Sequence, residues 1–355
     1  MLQKIQLALS VGLAVITCLL FPPDEAFSQD PFYKGKTLTI IQSRRPGGTG
    51  DMRVRAIVPL LKKHIPGHPN IVMRYMPGAG GAKAANHLYR AARPNGLIIA
   101  NTSVGMTVKG VVGAAGVRYD LKKFIYLGSP YSTNFSMLIT WKEAGFNSLK
   151  KLQAASGVRI GGQSVGFITY IEGRVFAYFL DLKDPVFVTG YGGAEMDLAL
   201  QRGEIDGRSN AGETILRRQP QWVEKDLIDI HAALESPKGF RFKHPAFDRV
   251  PALETFVRTE KEREVLSLAR SFRYAGTPWI APPGVPKERA EILQAAMRKT
   301  LKDPEFFQRY EKLTGAVPTP LLPEEQTKAI RGFPRDPEVL SMIKKLAGPG
   351  ALPPR

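Results

Sequence analysis

Two glycine-rich loops in matching settings constrain this chain more than any other feature. The first, Arg44-Arg45-Pro46-Gly47-Gly48-Thr49-Gly50-Asp51, follows the β-branched run Lys36-Thr37-Leu38-Thr39-Ile40-Ile41 and precedes a helical pattern from Asp51. The second, Gly161-Gly162-Gln163-Ser164-Val165-Gly166, follows Val158-Arg159-Ile160 and precedes a helical pattern over Glu172 to Leu180. A strand feeding a glycine turn and then a helix is the repeating unit of an α/β fold. Glycines let the backbone approach a ligand closely, and free N–H groups at a helix N-terminus favour an anion. The same residues also fit an ordinary strand–helix turn in which Thr49 or Asp51 serves only as N-cap.

The alternation continues along the chain. Asn70 to Tyr75 reads as a strand closed by Pro77-Gly78-Ala79-Gly80-Gly81. Ala84, Ala85, Leu88 and Ala92 share one face of a helix over Ala82 to Ala92, and Leu97 to Ala100 is a buried-strand run. Pro59 is expected to kink or restart the first helix. Phe124 to Leu127, Phe135 to Thr140 and Val186 to Val188 read as strands, with a helix over Ala194 to Gln201 and a strand-to-loop passage from Ile205 to Arg208. The last third is more helical, with amphipathic stretches over Lys261 to Arg270 and Lys287 to Leu301. The aromatic run Phe176, Tyr178 and Phe179 reads as core, and the Gly/Pro-rich tail Gly348 to Arg355 as loose.

The N-terminus decides how the composition is interpreted. Lys4 precedes an apolar run from Ile5 to Phe21, broken by Pro22-Pro23-Asp24-Glu25 and followed by Ala26-Phe27-Ser28, with cleavage expected before Gln29. This is the layout of a secretory signal peptide over residues 1–28, for which an uncleaved membrane anchor is the other reading. The 355 residues carry 50 Lys+Arg, 32 Asp+Glu and one cysteine, for a net charge of +18. Processing removes Lys4, Asp24 and Glu25, which raises the charge from +18 to +19, and it removes Cys18. Thiol chemistry, disulfides and cysteine–metal sites are thereby excluded from the mature chain. Its basic residues are scattered from Arg44 to Arg355 without a dense tract, which argues against nucleic acid.

Catalytic and metal motifs are sparse. Gly162-Gln163-Ser164-Val165-Gly166 matches G-x-S-x-G, so a secreted α/β-hydrolase-like esterase with Ser164 as nucleophile is the alternative function. Asp206 or Asp229, followed by His231 or His244, would complete its triad. His64 and His68 are separated by Pro66 and Gly67 and cannot share a helix face, so no zinc site is read there. Neither a GxxxxGK[ST] loop nor a full GxGxxG fingerprint is present. No metal and no cofactor are expected.

The order of these segments resembles the substrate-binding proteins of tripartite tricarboxylate transporters, the Bug family. Lys36-Thr37-Leu38-Thr39-Ile40, the Pro46-Gly47-Gly48-x-x-Asp51 loop, Pro77-Gly78-Ala79-Gly80-Gly81 and the Arg93-Pro94-Asn95-Gly96 turn carry the resemblance first. Gly190-Tyr191-Gly192-Gly193, Leu200 to Asp206 and Ala281-Pro282-Pro283-Gly284-Val285-Pro286 extend it, in order, over about residues 32–330. The resemblance implies a two-lobed periplasmic-binding-protein type II fold with two chain crossovers. Lobe 1 would take 29–132 and 230–355, and lobe 2 would take 133–229. It implies a non-enzymatic periplasmic protein, acting as a monomer, that binds a small organic acid and presents it to membrane permease subunits. The ligand-binding residues so implied are Pro46, Gly47, Gly48, Thr49 and Asp51 from one lobe, and Ser164, Gly166, Phe167 and Ile168 from the other. Ser209 and Asn210 would add to them. The chain departs from the family pattern at Arg44 and Arg45, at Gly166-Phe167-Ile168 and at Ser209-Asn210. Arg44 is therefore placed at the ligand, and a di- or tricarboxylate with a larger, aromatic or hydrophobic body is expected. Solvent-facing Arg44 and Arg45 with a packed-away Phe167 are the competing expectation.

Overall fold

The structure, a computed structural model, describes residues 30–355. The expected signal segment 1–28 lies outside the described residues. The chain begins β1 (Thr37–Gln42), α1 (Thr49–His64), β2 (Asn70–Tyr75), α2 (Ala82–Arg90), β3 (Ile98–Asn101), α3 (Val104–Val111) and β4 (Ile125–Gly128). It continues with β5 (Asn134–Trp141), α4 (Leu149–Ala154), β6 (Arg159–Gly162), α5 (Ile168–Phe179), β7 (Val186–Thr189) and α6 (Gly193–Gln201). Then come β8 (Gly207–Ala211), α7 (Gly212–Arg218), α8 (Pro220–Glu224), β9 (Ile228–Ser236) and α9 (Glu260–Tyr274). The last elements are β10 (Trp279–Ala281), α10 (Lys287–Lys302), α11 (Pro304–Thr314), α12 (Pro323–Arg331) and α13 (Pro337–Ala347).

The strands form two five-stranded sheets, ordered β2-β1-β3-β10-β4 and β7-β6-β8-β5-β9. In each, a parallel trio built from strand–helix units is joined by antiparallel partners: β10 beside β3 and β4, and β5 beside β8 and β9. The chain therefore crosses between sheets twice, once from β4 to β5 and once between β9 and β10. No helix among the described residues is long and apolar enough to cross a membrane.

Three apolar clusters hold these layers. One covers the outer face of the first sheet with α1, α10 and α11, through Leu60, Leu293 and Phe306. Another covers the outer face of the second sheet, through Met196, Leu200 and Trp222. The third runs without a break from α2 and α3 to α5, α9 and α13, so the lobes share a core beneath the cleft. Phe176, Tyr178 and Phe179 are buried in it.

Four expectations are corrected. The chain does not leave the second lobe at 229/230: β9 pairs along its length with β5, and Phe247 and Val250 pack in the second lobe's core. Pro59 does not interrupt α1, because it sits on the exposed side of the helix. The Arg55 carbonyl that Pro59 cannot bond accepts instead from Arg309 Nε, at 3.4 Å. The α5 helix begins at Ile168 rather than Glu172, which brings its N-terminus to the Ser164–Gly166 loop. The C-terminal tail is not loose. Arg174, buried in α5, donates to the carbonyls of Leu346, Gly350 and Ala351, and Arg355 lies on Glu262, Phe179 O and Phe256 O.

Candidate functional site

Between the two sheets lies a cavity of about 250 Å³. Three helices open onto it by their N-termini: α1 through Gly48, Thr49 and Gly50, α5 through Phe167, Ile168 and Thr169, and α6 through Gly192 and Gly193. Unsatisfied N–H groups and the positive ends of three helix dipoles make this a place for negative charge.

The first loop is braced from behind. Gly47 takes a φ of +83° to turn the chain, and its N–H donates to Asp51 Oδ2 at 3.0 Å. Arg55 Nε donates to the same oxygen at 2.9 Å, and the Tyr75 hydroxyl donates to Oδ1 at 2.9 Å. Asp51 is 1% exposed and both its oxygens are occupied. Its carboxylate therefore shapes the loop, and its negative charge is spent on partners outside the cavity.

Arginines dominate the cavity wall. Arg44 Nη1 donates to Asn101 Oδ1 at 2.7 Å and to Gln42 Oε1 at 3.4 Å, and among the described residues no carboxylate pairs with it. The Asn101 amide is oriented by its donation to Thr277 O. Burial, followed by the nearby guanidiniums of Arg53 and Arg273, pushes the Arg44 pKa down to about 10 against the opposing pull of Tyr131 and Asp51. One turn into α1, Arg53 lies 3.9 Å over the Tyr131 ring and pairs with Glu213 at 3.3 Å. Burial acts to raise the Tyr131 phenol, yet Arg53, Arg273 and Arg44 outweigh it and lower its pKa. Arg273 holds Glu172 in a two-pronged pair, Nε to Oε1 and Nη2 to Oε2, each at 2.5 Å. On the second lobe, Arg208 and Arg218 both pair with Asp197. Burial lowers the Arg208 pKa.

The lobes meet directly across the cleft. Arg45 at the rim pairs with Glu195 of α6 at 2.9 Å, and Thr49 Oγ1 stands 3.4 Å from Thr214 Oγ1. Below the cavity the second loop leans on the first lobe. Ser164 Oγ accepts from Gly80 N at 3.3 Å, and the Gly166 carbonyl fits against Gly80 and Gly105. A Cβ at Gly80 would stand 2.3 Å from that oxygen, and one at Gly105 only 2.1 Å away. This seam closes only because those positions carry no side chain.

Most of the expected ligand-binding residues come together here. Arg44, Gly48, Thr49, Asp51, Ser164, Phe167, Ile168, Ser209 and Asn210 all line the cavity. Pro46, Gly47 and Gly166 do not: the first two are exposed beyond its edge, and Gly166 is buried in the seam. Arg44 faces the cavity while Arg45 stays at the rim, so the two arginines behave differently. The triad of the esterase alternative is not assembled. His231 is hydrogen-bonded to Thr140 Oγ1 on β5, His244 accepts from Ala246 N, Asp206 pairs with Arg159, and neither histidine lines the cavity with Ser164. Sequence reasoning missed Arg53, Arg208, Arg218 and Arg273. Arg53 was within reach, since it lies four residues after Thr49 on a helix that opens onto the loop.

No family model and no curated protein matches the chain. Among solved structures it is similar to MatC from Rhodopseudomonas palustris with bound malate, at 18% identity and a TM-score of 0.64, over 88% of this chain and 99% of that one. The periplasmic binding protein BugD is similar at 17% identity and a TM-score of 0.67, over 89% and 99%. Rpa4515 of R. palustris with adipate is similar at 16% identity and a TM-score of 0.63, over 88% and 96%. The chain therefore has the two-lobed α/β fold of periplasmic binding proteins.

Proposed function

We propose that this chain is an exported solute-binding protein of the tripartite tricarboxylate transporter (Bug) type, which closes two lobes over an organic carboxylate and presents it to a membrane permease. The observation that carries the reading is Arg44, a cavity-lining guanidinium held only by amide oxygens, facing a space into which three helix N-termini point. A half-buried cation without a carboxylate partner is ready to take one from a ligand. MatC is solved with malate and Rpa4515 with adipate, and the resemblance in motif order leads to the same ligand class. The lobes are taken as 133–250 for the second and the remainder of 29–355 for the first, and residues 1–28 as the export signal.

In this reading no covalent chemistry is needed. The ligand selects the closed state by bridging both walls, and that closed state is what a permease would recognise. The lining is rich in charged and hydroxyl side chains, and the space is below the roughly 300–1,000 Å³ usual for drug-sized ligands. A compact, polar acid therefore suits it better than the aromatic body that Phe167 and Ile168 suggest in the sequence. Thermal shift of the mature protein against a panel of aliphatic and aromatic acids tests the reading. Aliphatic acids at saturating concentration should raise the melting temperature by several degrees, as ligand linkage requires, and Arg44→Gln should remove the rise. A panel in which no acid raises it would sink the proposal.

A further inference from the structure

The fold gathers cations that the sequence scatters. From Arg74 to Lys123 the chain carries eight Lys and Arg and a single acidic residue, Asp120. From Asp181 to Asp206, in the second lobe, the balance is reversed, with six acidic residues and two basic ones. The excess of the first stretch is not absorbed inside the molecule. Arg90, Arg93, Arg118, Lys122 and Lys123 are all exposed, and among the described residues none of their side chains has a carboxylate partner. Arg118 and Lys122 hydrogen-bond only through their backbone N–H groups.

These five stand together at one end of the first lobe. On α2, Asn86 Nδ2 donates to Gly116 O and Asn86 Oδ1 accepts from Arg118 N, each at 2.8 Å, which fastens the loop before β4 to the helix. Arg90 lies four residues after Asn86, on that same helix face. Arg93 follows in the turn into β3. The Tyr89 ring of α2 meets Phe124 edge-on at 5.5 Å, which brings Lys122 and Lys123 alongside the helix. Asp120 is turned into its own loop, where it accepts from Lys122 N at 2.8 Å. Strand direction fixes which end this is. β1 and β3 run parallel, and β4, antiparallel to β10 as β3 is, runs the same way. β1 ends at the cavity loop, so the turn into β3 and the loop into β4 enter at the opposite end of the sheet. None of the five residues lines the cavity.

We propose that this pole of the first lobe is a docking surface for an anionic lipid membrane, holding phosphodiester headgroups while the cleft end of the lobe stays free. Clusters of about four to eight Lys and Arg are attracted to anionic headgroups over roughly a Debye length. The composition favours lipid over an acidic protein. Protein interfaces are built round aromatic and apolar anchors and are depleted in lysine. The large exposed hydrophobics here are Val72, Val186, Leu198, Tyr274 and Val317, and none belongs to α2 or to the loop before β4. The inference rests on export, as in the proposed function, and is independent of the ligand in the cavity.

Co-sedimentation with vesicles tests this, using the mature protein with no organic acid added. The protein should pellet with phosphatidylcholine vesicles holding about one-third phosphatidylglycerol, and about 0.5 M sodium chloride should release it. It should stay in solution with pure phosphatidylcholine. The combined variant Arg90→Gln, Arg93→Gln, Arg118→Gln and Lys122→Gln should bind at least about twentyfold more weakly, since each cation at the surface is worth about fivefold. The control removes the same charge from the second lobe, at Lys150→Gln, Lys183→Gln, Lys225→Gln and Lys243→Gln, and should lose less than about threefold. All eight side chains are exposed, so both proteins should fold, which circular dichroism melts check. Equal losses in the two variants would overturn the docking surface and leave only net charge. Stronger release by sodium phosphate than by sodium chloride of equal ionic strength would overturn it in favour of a discrete phosphate site. No binding to the anionic vesicles would overturn it and leave the five cations to an acidic protein surface, while the thermal shift with organic acids still decides the proposed function separately.

Discussion

The loops after β1 and after β6 read almost alike in sequence, yet they do different work in the fold. The first carries Arg44 at its start and turns its helix N-terminus onto the cavity, and it is held in shape by Asp51, Tyr75 and Arg55. The second brings Phe167, Ile168 and Ser164 to the cavity, but its Gly166 carbonyl is committed to the seam with Gly80 and Gly105. The first loop is braced from behind by side chains of its own lobe and meets the other lobe only by side chains; the second rests its main chain on the opposite lobe. Local sequence sets the turn, and what faces the turn sets its role.

The comparison can be broken most severely at the brace. Asp51→Ala strands the Tyr75 hydroxyl and the Gly47 N–H, and it should cost about 3 kcal/mol of stability in urea unfolding together with most of the ligand affinity. A variant as stable as the parent would show that the first loop needs no brace.

Acid should weaken the fold from the second sheet. His231 is buried against Thr140 in the second sheet, and burial lowers its pKa from 6.5 to about 4. The unfolded chain therefore takes up a proton below pH 6.5 that the folded chain refuses. The stability contributed by neutral His231 is complete above pH 6.5 and is lost as pH falls from 6.5 toward 4, amounting to about 2 kcal/mol at pH 4.5. Unfolding curves of the parent and of His231→Gln at pH 7.5 and 4.5 measure this, and an equally steep acid loss in the variant would assign it elsewhere.

The seam offers the next smaller effect. Gly105→Ala places a methyl group against two backbone carbonyls, those of Gly166 and Gly80. Ligand affinity should fall about tenfold with little change in the circular dichroism spectrum, and small-angle scattering should show less compaction on ligand addition. Unchanged compaction would mean that the loop can move aside. Ser164→Ala is the mildest test. It removes one hydrogen bond of 3.3 Å and should weaken binding less than about threefold. A larger loss would make the second loop as central to the ligand as the first.

Much of this architecture was legible because it rests on short-range grammar. The β-branched runs, glycine turns and helical spacing located β1, β2, α2, β5 and α6 within a residue or two. The strand β9 escaped notice because Ile228 to Ser236 mixes Asp229, His231 and Glu235 into its pattern, each of them accommodated by a partner in the fold. The arginine wall was hidden for a related reason. Glu172 and Arg273 are 101 positions apart, and Asp197 finds Arg208 and Arg218 only after β8 and α7 have turned back over α6. In the sequence these residues are indistinguishable from the many solvated charges of a basic chain. Which of them remain unmatched becomes visible only when every pair has been made.

The seam under the cavity is glycine against glycine, backbone against backbone. Its closest contacts are between main-chain atoms, and Ser164 Oγ on Gly80 N is the side-chain bond that ties it to the cavity. In descent, the residues that line the cavity could be exchanged one after another while this main-chain contact stayed as it is. In the proposed function, the contact between the lobes and the choice of ligand are therefore written mostly at different addresses in this chain.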